Sequence, residues 1–163
     1  MLDSAPAIFV ALEGSAFGQA IRQSHWLYMA ANVGHVVSLA VFAGAIAVMD
    51  LRMAGAFTAT SPGHVLSRAR RAAIWTFLGL ALTGAVLFTA EASHVIMNPV
   101  FQLKLVLIAL GLLNIALFEL FATPQVKDLA PLTPLPWAAR RAAVISIVLW
   151  IAVAICGRSI AYF

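Results

Sequence analysis

Residues 72–90 read AAIWTFLGLALTGAVLFTA, with Arg70-Arg71 before them and Glu91 after them. A helix needs about 20 mostly apolar residues to cross a ~30 Å hydrocarbon layer. This run carries no charge and is bounded by charges at both ends. Three other stretches are as long and mostly apolar: Trp26–Met49, Val100–Phe121, which holds Lys104 and Glu119 near its ends, and Ala142–Ile160, which holds Arg158 near its end. The sequence therefore predicts an all-α, four-transmembrane-helix bundle, preceded by a short N-terminal interfacial helical segment. Residues 1–163 are expected to form one integral membrane domain.

Composition agrees. Of the 163 residues, 63% are hydrophobic and 10% charged, whereas soluble domains run near ~25% charged. That leaves too few charges to cover a surface facing water on all sides, so the main partner is the lipid bilayer. No dense basic face, low-complexity tract or glycine period points to nucleic acid or a fibrous chain. The lone Cys156 lies in an apolar run and forms no intrachain disulfide.

Boundary residues support the breaks. Ser61-Pro62 and Asn98-Pro99 each place a capping side chain before a proline suited to a first helical turn. The second helix is thus expected to begin near Pro62 and to project from the bilayer before Ala72. Pro124, Pro131, Pro134 and Pro136 predict an extended connector between the third and fourth spans. Trp26, Tyr28, Trp137 and Tyr162 stand near span ends, as aromatic belts do. Ahead of the first span, Ser4-Ala5-Pro6 and Ser15 can each start a short helix, too short to cross and suited to the interface.

Orientation follows from Lys and Arg. Arg52, Arg68, Arg70, Arg71, Lys127, Arg140 and Arg141 lie on one side, and Arg22, Lys104 and Arg158 on the other. Seven against three predicts both termini outside a bacterial inner membrane, the periplasm in a Gram-negative host.

Polar residues inside the spans are the candidate site. Tyr28, Asn32, His35 and Ser38 fall on one helical stripe, expected to face the bundle. Thr76, Thr83 and His94 are placed on one face of the second helix, where Gly79-x-x-x-Thr83 also offers a small-residue seam. Asn114 follows Gly111, and Ser146, Trp150 and Gly157 align on the fourth helix. Such groups serve as interhelical glue at ~0.6–2 kcal/mol each. His35, roughly 13 Å into the layer at 1.5 Å per residue, is also a functional candidate as an ionisable intramembrane group, hydrogen-bonded to Asn32 or to another helix.

Haem b is the natural cofactor of a small histidine-bearing bundle. His64 and His35 stand ~20 Å or more apart in height and cannot share one iron. His25 and His94 match in height at the outer edge, where Met29 and Met97 complete a soft set for copper(I) or haem. Arg22, Lys104 and Arg158 on that side can hold propionates, a quinone head or another anion. No phosphate loop, HExxH, CxxC or nucleophile elbow occurs, and the carboxylates do not pair at one depth.

The chain resembles an uncharacterised family of small bacterial inner-membrane proteins. The resemblance rests on Ala11-Leu12-Glu13, on Ile21 through Tyr28 (IRQSHWLY), and on His35 with Gly44 and Asp50-Leu51-Arg52-Met53. It continues in Thr83-Gly84 with Leu87-Phe88, in Asn98 to Phe101 with Lys104, in Gly111 to Asn114, and in Gly157-Arg158-Ser159-Ile160. It implies one four-helix membrane domain, no established activity, and weight on His35, Asp50, Arg52, Lys104, Asn114 and Arg158. The pattern departs after Phe118, where Glu119 stands in place of a usual histidine, and near His94, where an aromatic residue is usual. Together these readings favour a membrane subunit that is not an enzyme on its own, coupled to a membrane or periplasmic partner at the outer face, with a redox role through haem or quinone. The alternatives are a metal-handling or solute permease with a polar route past His35, Asn32 and Asn114, and an assembly factor.

Overall fold

The computed structural model describes residues 5–162; of the first predicted helix start, Ser4 lies outside them. Four helices carry the fold. They are α3 (His25–Ala54), α4 (Pro62–Ala90), α6 (Pro99–Leu117), which continues through a π-helical turn (Phe118–Ala122) into α7 (Thr123–Val126), and α8 (Trp137–Ser159). Two short helices, α1 (Ala7–Gly14) and α2 (Ala16–Gln23), precede them, and α5 (Ala92–Met97) links α4 to α6. Each of the four long segments is apolar and long enough to cross a membrane. Trp75 and Leu82 are 72% and 70% exposed on the outside of α4, a placement that a lipid solvent makes favourable. This is a multi-pass membrane protein.

The ends of the helices follow the expected chemistry with three corrections. Asn98 caps α6, its Oδ1 accepting from the amides of Val100 and Phe101, and Ser15 caps α2 through Gly18. Ser61 makes no side-chain cap bond, although Pro62 does open α4. Pro124 does not start the extended connector but sits in the first turn of α7. An interior proline would clash with the carbonyl four residues back and leave it without a donor. The π turn before it widens the helix, and Thr123 N–H reaches back to the Phe118 carbonyl. The third span therefore stays helical to Val126, and the non-helical connector begins only after it. The third correction concerns His94: Glu91 breaks α4, so the histidine rides on α5 and shares no face with Thr76 and Thr83.

Packing is lopsided. Helix α4 lies along α3, α3 lies on α8, and α8 lies on α6, but α4 and α6 do not pack along their length. The four helices form an open C in cross-section. On the closed flank, small residues let α3 and α4 meet: a Cβ on Gly79 would come within 2.8 Å of Ser38 Oγ, and one on Gly34 within 3.3 Å of the Thr83 methyl. On the other flank α6 receives Trp150 of α8 at Gly111, and α8 receives the Lys104 side chain at Gly157.

The bundle has two distinct ends. At the arginine end, Met53, Leu66, Ala122, Val126, Leu135, Ala139 and Ala143 form a buried cluster. Arg52 closes the α3–α4 loop there, donating through Nε and Nη2 to the Thr60 carbonyl. At the terminal end, α1 and α2 pack on α4 and α5. Glu13 pins them by accepting from both the amide and the hydroxyl of Ser93, and Arg22 pairs with its other oxygen at 2.7 Å. Those bonds, led by the Ser93 hydroxyl and opposed by partial burial, hold the Glu13 carboxyl below its ordinary 4.5.

Candidate functional site

The open side of the C encloses a cavity of about 220 Å³ that all four long helices line. Its walls are apolar: Phe42 and Ile46 of α3, Ile74 and Phe77 of α4, and Leu112 and Ile115 of α6. Phe42, Phe77 and Trp150 make an aromatic cluster, with the Phe42 and Trp150 centroids 4.7 Å apart and their rings edge-to-face. Towards the arginine end the lining turns polar, with Asp50, Ser146, Asn114, Arg70 and Glu119.

Each polar group has a local cause. Asp50 lies one turn inside the end of α3, because the helix runs on to Gly55, whose φ of +112° provides the left-handed C-cap. Its side chain therefore turns into the bundle and is 92% buried, being 8% exposed. Ser146 of α8 lines the same end of the cavity, while Asp50 Oδ2 has no partner among the described residues. Asn114 donates from Nδ2 to the Ala142 carbonyl at 3.0 Å, joining α6 to α8. Arg70 reaches across the cleft to Glu119 at 2.6 Å, and Thr123 donates to the other Glu119 oxygen at 3.2 Å. That bridge closes the cleft at its arginine end. At the terminal end Phe88 of α4 stacks on Phe101 of α6 with centroids 5.4 Å apart. Between these two links α4 and α6 stay apart.

The other polar residues lie elsewhere. His35 bonds Thr83 of α4, Nδ1 to Oγ1 2.9 Å, and packs on Gly84, so of the two expected partners the neighbouring helix holds it. Asn32 is exposed on the outside of α3, and Tyr28 is 37% exposed, so only the His35–Ser38 part of that stripe faces protein. Lys104 lies against Gly157, within Coulombic reach of His35. Arg158 is exposed and donates to the Tyr162 hydroxyl at 2.7 Å. His25 and His94 are both exposed at the terminal end, His25 edge-to-face with Trp26. Met29 and Met97 are exposed too, at 39% and 45%. Among the described residues no three His, Cys, Asp or Glu side chains converge to hold a metal ion.

Asp50 and Ser146 line one cavity, a placement that spacing alone did not bring together. Asp50 sits at the predicted end of the first span, where an acid is an ordinary boundary residue. Only the extra helical turn from Leu51 to Ala54 makes it an interior one.

No curated protein and no solved structure shows significant similarity to the chain. A family model does match residues 9–163, nearly the full length and all four spans. With that coverage, the four-pass protein described above belongs to the family of unknown function DUF6644.

Proposed function

We propose that the chain is a non-catalytic integral membrane subunit that admits a small lipid-soluble molecule from the bilayer through the cleft between α4 and α6. The observation that carries this reading is the cleft itself, a cavity with aromatic and aliphatic walls, polar groups gathered at one end, and a gap between α4 and α6 beside it. Binding sites of this make-up orient a mostly apolar ligand by a few polar contacts. The α1–α2 platform at the terminal end is the surface for a protein partner, and the lysine and arginine bias puts that end outside the cytoplasm.

The redox version of this reading favours a mobile lipid-soluble carrier over haem. Bis-histidine haem needs two imidazoles at one depth inside the bundle, and His35 is the only histidine of the described residues that is not exposed. A second site, copper(I) or haem held by His25, His94, Met29 and Met97, rests on their all standing at the terminal end. Absorbance and metal analysis of the His25→Ala/His94→Ala protein test it, and unchanged occupancy removes it. A permease route past His35, Asn32 and Asn114 is less favoured, since Asn32 points outward and Asn114 is bonded to α8.

The main reading is tested by mass spectrometry of organic extracts from detergent-purified protein. One lipid-soluble species should co-extract near one per chain and fall at least tenfold in Ala73→Phe, which fills the cavity from α4. An extract that mirrors bulk lipid and is unchanged in that variant would falsify the proposal. Reporter fusions at both termini check the orientation, and a cytoplasmic signal from either would overturn it.

A further inference from the structure

We infer that the cavity takes the ring head of an isoprenoid quinone, with Asp50 as the residue that hydrogen-bonds one of its oxygens. This rests on the cleft reading above and adds a ligand class and a contact atom to it. Three observations carry it.

Asp50 lines the cavity, and its buried Oδ2 has no partner among the described residues. A carboxyl oxygen left without a hydrogen bond in a low-dielectric interior is costly, and native structures leave few such atoms unsatisfied without a reason. Ser146 of α8 lines the same end of the cavity.

Size selects the head. About 220 Å³ is available, and a cavity of ~150 Å³ already accepts benzene. One substituted ring or two fused rings fit, whereas a porphyrin does not. The flat walls supplied by Phe42 and Phe77 suit an aromatic or quinonoid ring, which gains from offset or edge-to-face contact.

Charge and topology select against the other abundant amphiphiles. The polar end of the cavity carries two carboxyl groups, Asp50 and Glu119, and its one cation, Arg70, is engaged with Glu119. A fatty acid or anionic phospholipid head would meet repulsion there. A neutral head bearing carbonyl or hydroxyl oxygens meets none, and a carboxyl group can accept from a hydroxyl or, when protonated, donate to a carbonyl. The gap between α4 and α6 lets a long unbranched or isoprenoid tail remain in the bilayer while the head is enclosed.

The test is a titration of the detergent-purified full chain with decyl-benzoquinone, read by quenching of tryptophan fluorescence, since Trp150 contacts both Phe42 and Phe77. Saturable quenching is expected in the unaltered protein. Asp50→Leu should weaken it at least tenfold and Asp50→Asn about threefold, because the amide keeps one hydrogen bond. Asp50→Asn is isosteric and serves if Asp50→Leu does not fold. Affinities within twofold of the unaltered protein in both variants, with loss in Ala73→Phe, would overturn the role of Asp50 and leave the cavity reading standing. Absence of quinone binding while another lipid still co-extracts in an Ala73→Phe-sensitive way would overturn the quinone class alone. Failure of both binding and co-extraction would remove the cleft reading itself.

Discussion

The two flanks of α4 are built on opposite plans. On its α3 side Gly79, Thr83 and Gly84 meet Gly34, His35 and Ser38, and a single added Cβ at Gly79 would collide with a neighbouring hydroxyl. On its α6 side Ile74, Phe77 and Leu78 face Leu112 and Ile115 across a cavity, and contact is made only near the ends, by Arg70–Glu119 and Phe88–Phe101. In lipid, apolar side chains gain little from leaving the solvent for each other, so helices associate where small residues allow close packing and where polar groups bond. The difference teaches that the closed flank is held by shape along its length, whereas the open flank is held at two points and left free to admit a ligand.

The comparison can be broken most forcefully at the seam. Gly79→Leu drives a side chain into Ser38 and should cost about 1–3 kcal/mol by overpacking, seen as a lower midpoint in thermal or denaturant unfolding in detergent. No change would mean that the α3–α4 approach is looser than described. Thr83→Val removes the His35 partner and should cost ~0.6–2 kcal/mol, with His35→Ala costing no more when added to it. Additive losses would show that His35 and Thr83 act separately.

Arg70→Ala sharpens the other side of the comparison. The Arg70–Glu119 pair is about a third exposed on both partners, so its contribution to stability is about 1 kcal/mol or less. Its effect on the cleft should be larger than its effect on unfolding. Cysteines placed at Ile74 and Ile115 should crosslink less efficiently in the Arg70→Ala background, and equal efficiency would remove the bridge as a tie across the cleft.

The smallest effect concerns the terminal end. Glu13 titrates below its ordinary 4.5 because Ser93 and Arg22 stabilise its charged form. A depressed carboxylate contributes its stabilisation fully above the unfolded-state value, and that contribution is lost as pH falls through the lower folded-state value. Hydrogen exchange at the Ser93 amide should therefore be protected at neutral pH and accelerate at acid pH beyond its intrinsic trend, while Glu13→Gln should remove that pH dependence. Exchange that is equally slow in both proteins at acid pH would show that packing of α1 on α5, and not the carboxylate, holds the platform.

Much of this architecture could be read along the chain, and the particular misses are informative. Asn98-Pro99 announced the start of α6 correctly because a cap is a local hydrogen-bonding event. The Gly79–Thr83 seam and a bond from Asn114 across the bundle were legible because polar and small groups in hydrocarbon have few alternatives to facing protein, although that α8 receives the bond was not. Pro124 misled, since a π turn upstream absorbs a proline that an α-helix could not. Asn32 misled because its helical position fits the His35 stripe, yet α3 has neighbours over only part of its circumference.

The number of passes and their apolar character were already fixed by composition along the chain, because length and hydropathy set the cost of each segment in water or lipid independently of its neighbours. That α4 and α6 would fail to close, and that Asp50, Ser146 and Asn114 would line one cavity, was decided only by tertiary structure. The reason is geometric. Which helix lies next to which depends on the summed fit of several seams, and a vacancy between two helices leaves no signature in either one read alone.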